Sequence, residues 1–404
     1  VLFAAVWVLA CVIAWRVMAR PEENDLVHLF IARHRLDLAV FAPGPLVWGG
    51  ILAGALALGY ALAGAGLRRM PPKARTGHVA GDVVARRLFA VNAVCLGVTL
   101  VWVLLTVQAA GGLSAFLRLS GADPLAARDM LLDQKLFTGM RLLYAALPAL
   151  AALAGALMAQ GGIGPGARWL CGIVITVNLV ALVALTAVMS QRLLVMQLVV
   201  AVFVAASCAR GRLLPVWSIA LAVAVFAGTW VLREAITNPG LDRSATEIAA
   251  QKFAFYAVND LWNTARPLLG DAPRAGGLFS FQFALFFTLT DGVVYAAHAD
   301  RLADLAAYRG GGEFSLLSAP FVDFGPLGAA AYLMLYGGVM RVLWHRAVQS
   351  AGDAAVYGQA ATAVLLSVHA NFAASQDFVF AILVILVVTR APAPGWAKGK
   401  HAPA

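Results

Sequence analysis

Charge is what this chain has least of. Only 12% of its 404 residues are Asp, Glu, Lys or Arg, against about 25% in soluble domains. That excludes a soluble multidomain protein in spite of the length. Cysteine is scarce as well. The four present, Cys11, Cys95, Cys171 and Cys208, all fall inside apolar runs. They offer neither a disulfide framework nor metal-ligand spacing, and they read as buried free thiols. There is no His-Glu-x-x-His and no carboxylate cluster, so neither a metal nor another cofactor is expected. Gly310–Gly312 lacks the Lys-Ser/Thr that completes a phosphate loop. Asp323-Phe324-Gly325 copies a kinase triplet without the other kinase motifs. Period-two alternation is missing, which argues against a β-barrel. No internal repeat and no low-complexity linker is visible.

What is there is apolar: 62% of the residues are hydrophobic. A membrane-spanning helix needs about 20 such residues, and in lipid the backbone must satisfy its own hydrogen bonds, which favours helices. Runs of this kind lie near 1–18, 44–67, 88–110, 138–159, 168–189, 193–209, 213–232, 324–343, 354–371 and 376–390. The pattern is that of an all-α polytopic membrane protein with about ten transmembrane helices. It reads as a single integral-membrane domain over 1–404, with one large loop at 233–323. Residues 1–19 read as a first span and not as a cleaved signal peptide, because many spans follow and Arg16 and Arg20 stand at its far end.

The net charge of +10 does not point to nucleic acid, because the basic residues gather in short connections. Arg68, Arg69, Lys73, Arg75, Arg86 and Arg87 surround a single acid, Asp82. By the positive-inside rule that loop is cytoplasmic. Counting onward puts Arg168, Arg210, Arg212, Arg341, Arg346, Lys398 and Lys400 on the same side. Residues 20–43, 111–137, 190–192, 233–323 and 372–375 then face outward. One segment resists the count. A full crossing at 278–297 would invert everything after it, so it reads as a re-entrant or interfacial element. Residues 244–268 read as a surface helix across the outer mouth. Ser244 and Glu247 have capping-box spacing, and Ile248, Phe255 and Trp262 follow at heptad spacing.

Arg192 and Arg233 stand at outer span ends, against the positive-inside trend. Each can be a snorkelling or dipole-satisfying arginine, or a fixed cation facing an anion. A planar guanidinium grips two phosphate oxygens at once. Arg266 and Arg243 in the same loop are weaker candidates of the same kind. Asp323 opens the eighth run, either as a helix N-cap or as a carboxylate facing the mouth. Glu313 shares that region. His298 is either a packed histidine or a proton carrier. Ser315, Ser318 and Tyr256 are candidates for sugar hydroxyls.

These residues resemble a family. Glu313-Phe-Ser-Leu-Leu-Ser-Ala-Pro-Phe-Val-Asp323-Phe-Gly325-Pro-Leu-Gly328 is similar to the late loop of the bacterial oligosaccharide repeat unit polymerases, the Wzy-type O-antigen polymerases. Ser190-Gln-Arg192 resembles their Ser-x-Arg turn, and Arg233 falls where a second arginine is expected. Tyr256 and Asn259 fit the loop helix that follows, Phe41-Ala42-Pro43 an early proline, and Gly111-Gly112 a glycine pair after the third span. Glu313 stands where that pattern has Asn. The resemblance implies a C-type, metal-independent glycosyltransferase of the bacterial inner membrane, working at the periplasmic face. Its substrates would be polyprenyl-diphosphate-linked oligosaccharides, as donor and as acceptor, amid membrane lipids; a chain-length regulator is a conceivable partner. It would cast Arg192 and Arg233 as catalytic, with Arg266 and Arg243 assisting at the diphosphate. Asp323, Glu313 or His298 would take the acceptor proton, and Tyr256, Asn259 and Ser315 would bind sugar. An O-antigen ligase would share the donor and the arginines. A lipid-linked-glycan transporter or flippase would need charges at the bilayer midplane, which the runs lack.

Overall fold

The computed structural model describes residues 2–41, 43–67, 81–137, 139–189, 193–237, 242–310 and 312–390. They contain no strands. In chain order the helices are Leu2–Ala19 (α1), Asp25–Arg33 (α2), Pro43–Leu67 (α3), Gly81–Ala109 (α4), Leu113–Ala122 (α5) and Pro124–Asp133 (α6). Met140–Ala145 (α7), Leu147–Gln160 (α8), Pro165–Met189 (α9), Leu193–Arg210 (α10), Val216–Thr237 (α11) and Ala245–Ala265 (α12) follow. The last are Gln282–Phe287 (α13), Asp291–Ala297 (α14), Ala299–Ala306 (α15), Ser318–Ala347 (α16), Ala351–Leu366 (α17) and Gln376–Arg390 (α18).

All ten apolar runs are helical. Six helices among the described residues are long and apolar enough to cross a membrane: α3, α4, α7 with α8 as one, α9 over Pro165–Leu185, α10 and α16. Four runs form helices outside that group, α1, α11, α17 and α18. α17 ends at Leu366, short of the 371 expected, and 367–371 forms a turn. Four short helices were not visible in the apolar pattern, one of them the eight-residue α15. α2, α5 and α6 lie in stretches read as loops, because each is only nine or ten residues long.

α8 is the hub. Its sequence, Leu-Pro-Ala-Leu-Ala-Ala-Leu-Ala-Gly-Ala-Leu-Met-Ala-Gln, carries small side chains on every face. Neighbours therefore approach closely all round, and 83% of its apolar window is buried. α4, α9, α10, α17 and α18 pack on it. Asn178 of α9 ties three of these helices, donating through Nδ2 to Asn92 Oδ1 of α4 at 2.7 Å and to the Leu147 carbonyl of α8 at 2.9 Å. The outer helices keep large apolar side chains exposed, as a lipid-facing surface would: Leu104 is 64% exposed and Leu335 71%.

α3 and α16 meet along glycines. A Cβ at Gly59 would come within 1.9 Å of the Met334 carbonyl oxygen, and one at Gly337 within 2.1 Å of that of Leu56. No side chain fits there, so backbone touches backbone. Near its start α16 kinks at Gly325, where φ is 74° and ψ −175°. That backbone region is nearly closed to other residues.

The segment 278–297 is broken into turns and the short helices α13 and α14, of 6 and 7 residues. Neither is long enough to cross a bilayer. α12 has the expected cap, with Glu247 N–H donating to Ser244 Oγ at 3.1 Å. It is not a surface helix, however. Ile248, Phe255 and Trp262 are all buried, and α1, α2 and α11 pack around it. The loop 233–323 is thus built into the bundle through α12.

Gly337→Leu should lower the thermal midpoint of the detergent-solubilised protein, at an overpacking cost of about 1–3 kcal/mol or more. Gly66→Leu, a position with open space around its Cβ, should leave the midpoint unchanged. A thermal melt of both variants checks this.

Candidate functional site

The polar residues of the loop converge on one side of α12. Its helical repeat stacks Tyr256, Asn259, Asp260 and Asn263 within two turns. The His369 ring reaches Asp260 from the turn after α17, with Nδ1 2.7 Å from Oδ1. A carboxylate can only accept, so Nδ1 carries the hydrogen and Nε2 is left with its lone pair. Burial pulls the imidazole down. The Asp260 carboxylate, with a further contribution from Glu313, outweighs that and holds it above its ordinary value. Tyr256 stands edge-on to His369 at 5.7 Å, and Trp230 of α11 edge-on to Tyr256 at 5.6 Å.

Arg233 lies one turn beyond Trp230 on the same face of α11 and is buried, with 7% of its surface exposed. Beside it, fully buried Glu234 pairs with Lys252 of α12 at 2.5 Å. This pair fixes the end of α11 against α12. Arg233 thereby stands in the chain between the two side chains, Trp230 and Glu234, through which α11 meets α12.

The turn that carries His369 is held from two sides. Leu316 N–H donates to the Ser367 carbonyl at 2.8 Å. Asn371 Nδ2 donates to the Phe279 carbonyl at 3.1 Å. Phe279 is itself held by Asp323, whose carboxylate accepts from the N–H groups of Phe279 at 3.2 Å and Ser280 at 2.7 Å. Asp323 is buried and stands two residues before the kink at Gly325. It is therefore not the N-cap of the eighth run, and it does not face an open mouth. It clamps the neighbouring loop. Arg274 completes the clamp, donating through Nη1 to the Phe321 carbonyl at 2.7 Å.

Ser315 is buried too. Thr264 Oγ1 donates to its Oγ at 2.8 Å, and its N–H donates to Ser318 Oγ at 2.9 Å. Ser318 Oγ donates in turn to the Asn263 carbonyl at 3.0 Å. This network makes Ser315 a fastener between α12 and the 313–318 stretch, and takes it away from substrate. Asn259 is fully buried beneath the glycines. A Cβ at Gly310 would come within 2.7 Å of Asn259 Oδ1, and Gly310 N–H donates to Asn263 Oδ1 at 2.6 Å. Those two amides leave no room for a side chain at Gly310 or at Gly312, where a Cβ would come within 2.8 Å of Asn263 Nδ2.

The remaining candidates are engaged elsewhere. Arg266 makes a two-pronged pair with Asp271, at 2.6 and 2.9 Å, and lies over the Tyr308 ring at 4.3 Å. Arg243 bridges Asp25 of α2 and Glu247, and its hydrogen bonds hold the Asp25 carboxyl at about 2. Glu313 is exposed and pairs with Arg309 at 2.7 Å. His298 ends α14, outside the cluster around Asp260. Arg192, with Ser190 and Gln191, lies outside the described residues; Leu193, which opens α10, packs with Phe372 and Phe378 beside the His369 turn.

The His369–Asp260 pair escaped sequence reasoning. His369 looks like the tail of an apolar run, and Asp260 like one more charge on a helix, 109 residues away. The only available signal was that a histidine and an acid both interrupt otherwise apolar surroundings. Among the described residues no three His, Cys, Asp or Glu side chains group as a metal site would. No family model matches the chain, and neither a curated protein nor a solved structure matches it.

Asp323→Asn should loosen the loop it clamps. Losing the charged acceptor of two buried N–H groups costs about 1–3 kcal/mol, so trypsin should cut after Arg274 roughly ten times faster in the detergent-solubilised variant. Glu313→Gln should leave that rate unchanged.

Proposed function

We propose that this protein is a glycosyltransferase of the bacterial inner membrane that joins polyprenyl-diphosphate-linked oligosaccharide repeat units at the periplasmic face. The observation that carries the reading is the His369–Asp260 pair, an oriented proton acceptor, with buried Arg233 one turn along α11 from the Trp230 that packs on Tyr256. The likeness of residues 313–328 to the late loop of O-antigen polymerases supports it further. So does the way that stretch holds the histidine turn, through Leu316.

In this mechanism an acceptor sugar hydroxyl attacks the anomeric carbon of the donor. The bond from that carbon to the phosphate oxygen breaks, and the diphosphate leaves with the bonding electron pair. Arg233 and Arg192 stabilise the growing negative charge, an effect largest where preorganised cations sit in a dry site. His369 Nε2 takes the hydroxyl proton, and Asp260 orients the ring and stabilises the imidazolium. Tyr256 packs against the imidazole and offers its ring to a sugar. Asp323 is a positioning residue, acting through Phe279 and Asn371 on the turn. Arg266 and Arg243, held by carboxylates, take no part in gripping the diphosphate. The polyprenyl chain lies along exposed apolar helix faces.

A deletion strain should accumulate lipopolysaccharide capped with a single repeat, seen on a gel of surface polysaccharide. Arg192→Ala, Arg233→Ala and His369→Ala should fail to restore long chains while remaining in the membrane at normal abundance. The loss for each arginine should be roughly 10²–10³ in rate. Free lipid-linked polymer in the deletion strain would point to a ligase and sink the polymerase reading.

The pH dependence follows from the raised histidine. Only neutral imidazole accepts the proton, so activity falls as pH drops through a value above the ordinary histidine range. Asp260→Asn removes the charge that raises it. The acid limb of kcat/KM should then move to lower pH, measured with purified lipid-linked oligosaccharide. An unmoved limb would take His369 out of the base role.

A further inference from the structure

Arg341 lies at the other end of α16, roughly 27 Å beyond Asp323 at 1.5 Å per residue. It is about 9 Å inside the end of a helix long and apolar enough to cross a membrane. Its guanidinium sits over the Tyr60 ring of α3, 5.1 Å from the centroid, and Nη1 donates to the Tyr60 hydroxyl at 3.3 Å. Nε is buried and, among the described residues, has no acceptor. Gly64 gives it room, since a Cβ there would lie 2.9 Å from Nε. Tyr357 of α17, packed on Trp344 at 5.2 Å, lies within electrostatic reach of the same cation.

What the crevice lacks is an anion. Among the described residues no carboxylate pairs with Arg341, and the nearby Arg346 takes Asp353 at 3.5 Å. The stretch 68–80 after α3 and the tail 391–404 contain no Asp or Glu at all. A guanidinium keeps its charge in proteins, and a half-buried charge without a counter-charge is costly in an apolar setting. The tyrosine ring offsets only part of that cost.

We propose that the α3–α16 crevice at Arg341 binds the phosphate of an anionic lipid headgroup. The guanidinium is only half-buried and has N–H donors beyond the Nη1 one given to Tyr60, which suit phosphate oxygens. A lipid fits better than a soluble anion. The site lies below the helix end, and exposed Val339 and Val342 flank it with surface for acyl chains. This site is separate from the His369 cluster, and its test does not depend on the catalytic reading.

The full chain in neutral detergent is melted with phosphatidylglycerol, with phosphatidylcholine and with inorganic phosphate as separate additions. Phosphatidylglycerol should raise the midpoint in a concentration-dependent way, and the other two should not. Arg341→Gln should raise the half-saturating phosphatidylglycerol concentration about tenfold or more, the scale of a charged hydrogen bond. Arg346→Gln should respond like the unaltered chain. Should Arg341→Gln fail to fold, Gly64→Ala carries the test, because its methyl pushes the guanidinium out of place while keeping the charge. A response to phosphatidylglycerol that survives both variants overturns the proposal. So does an Arg341-dependent response to inorganic phosphate as large as that to the lipid.

Discussion

The arrangement around the candidate site depends on one carboxylate. Asp323 accepts the N–H groups of Phe279 and Ser280, and the Phe279 carbonyl then receives Asn371, which helps fix the turn bearing His369. An anion deep in an apolar bundle is tolerable only when its hydrogen bonds are supplied. Here backbone donors from a loop supply them, so the loop cannot move without stranding the charge. The kink at Gly325 lets the chain place Asp323 in that role and still continue as a long helix.

Two kinds of packing surround this clamp. In the bundle, small residues let helices close on one another: alanines on α8, glycines between α3 and α16. In the loop region the contacts are polar and local. Thr264, Ser315, Ser318 and Asn263 form a chain of hydrogen bonds that staples α12 to the stretch before α16. The first kind gives a frame with little freedom. The second sets side chains at defined positions on that frame, which proton transfer and anion binding both require.

Arginines divide by what faces them. Arg243 and Arg266 have carboxylate partners and hold elements together. Arg233 sits buried one turn from Trp230, which packs on Tyr256. Arg341 has an aromatic ring and, among the described residues, no acid. A sequence displays all four as the same letter; their different chemical capacities arise from what the fold brings within 4 Å.

Much of the architecture was legible without a structure. Apolar runs of spanning length can only be helices in this composition, and the ten runs are helical for that reason. The cap at Ser244 and the heptad of Ile248, Phe255 and Trp262 were readable because both are local. The burial of α12 was not, because the same stripe serves a surface helix and one enclosed by neighbours. The site was the least legible part. Asp323 looked like a cap since caps are local, yet its partners lie more than 40 residues upstream. His369 and Asp260 meet only because α17 ends early and a turn swings the imidazole onto α12. Apolarity and local capping chemistry were thus determined by the sequence alone. Which charges are paired, which are clamps and which face a ligand was decided by tertiary contacts, because pairing depends on distance in space and not on spacing in the chain.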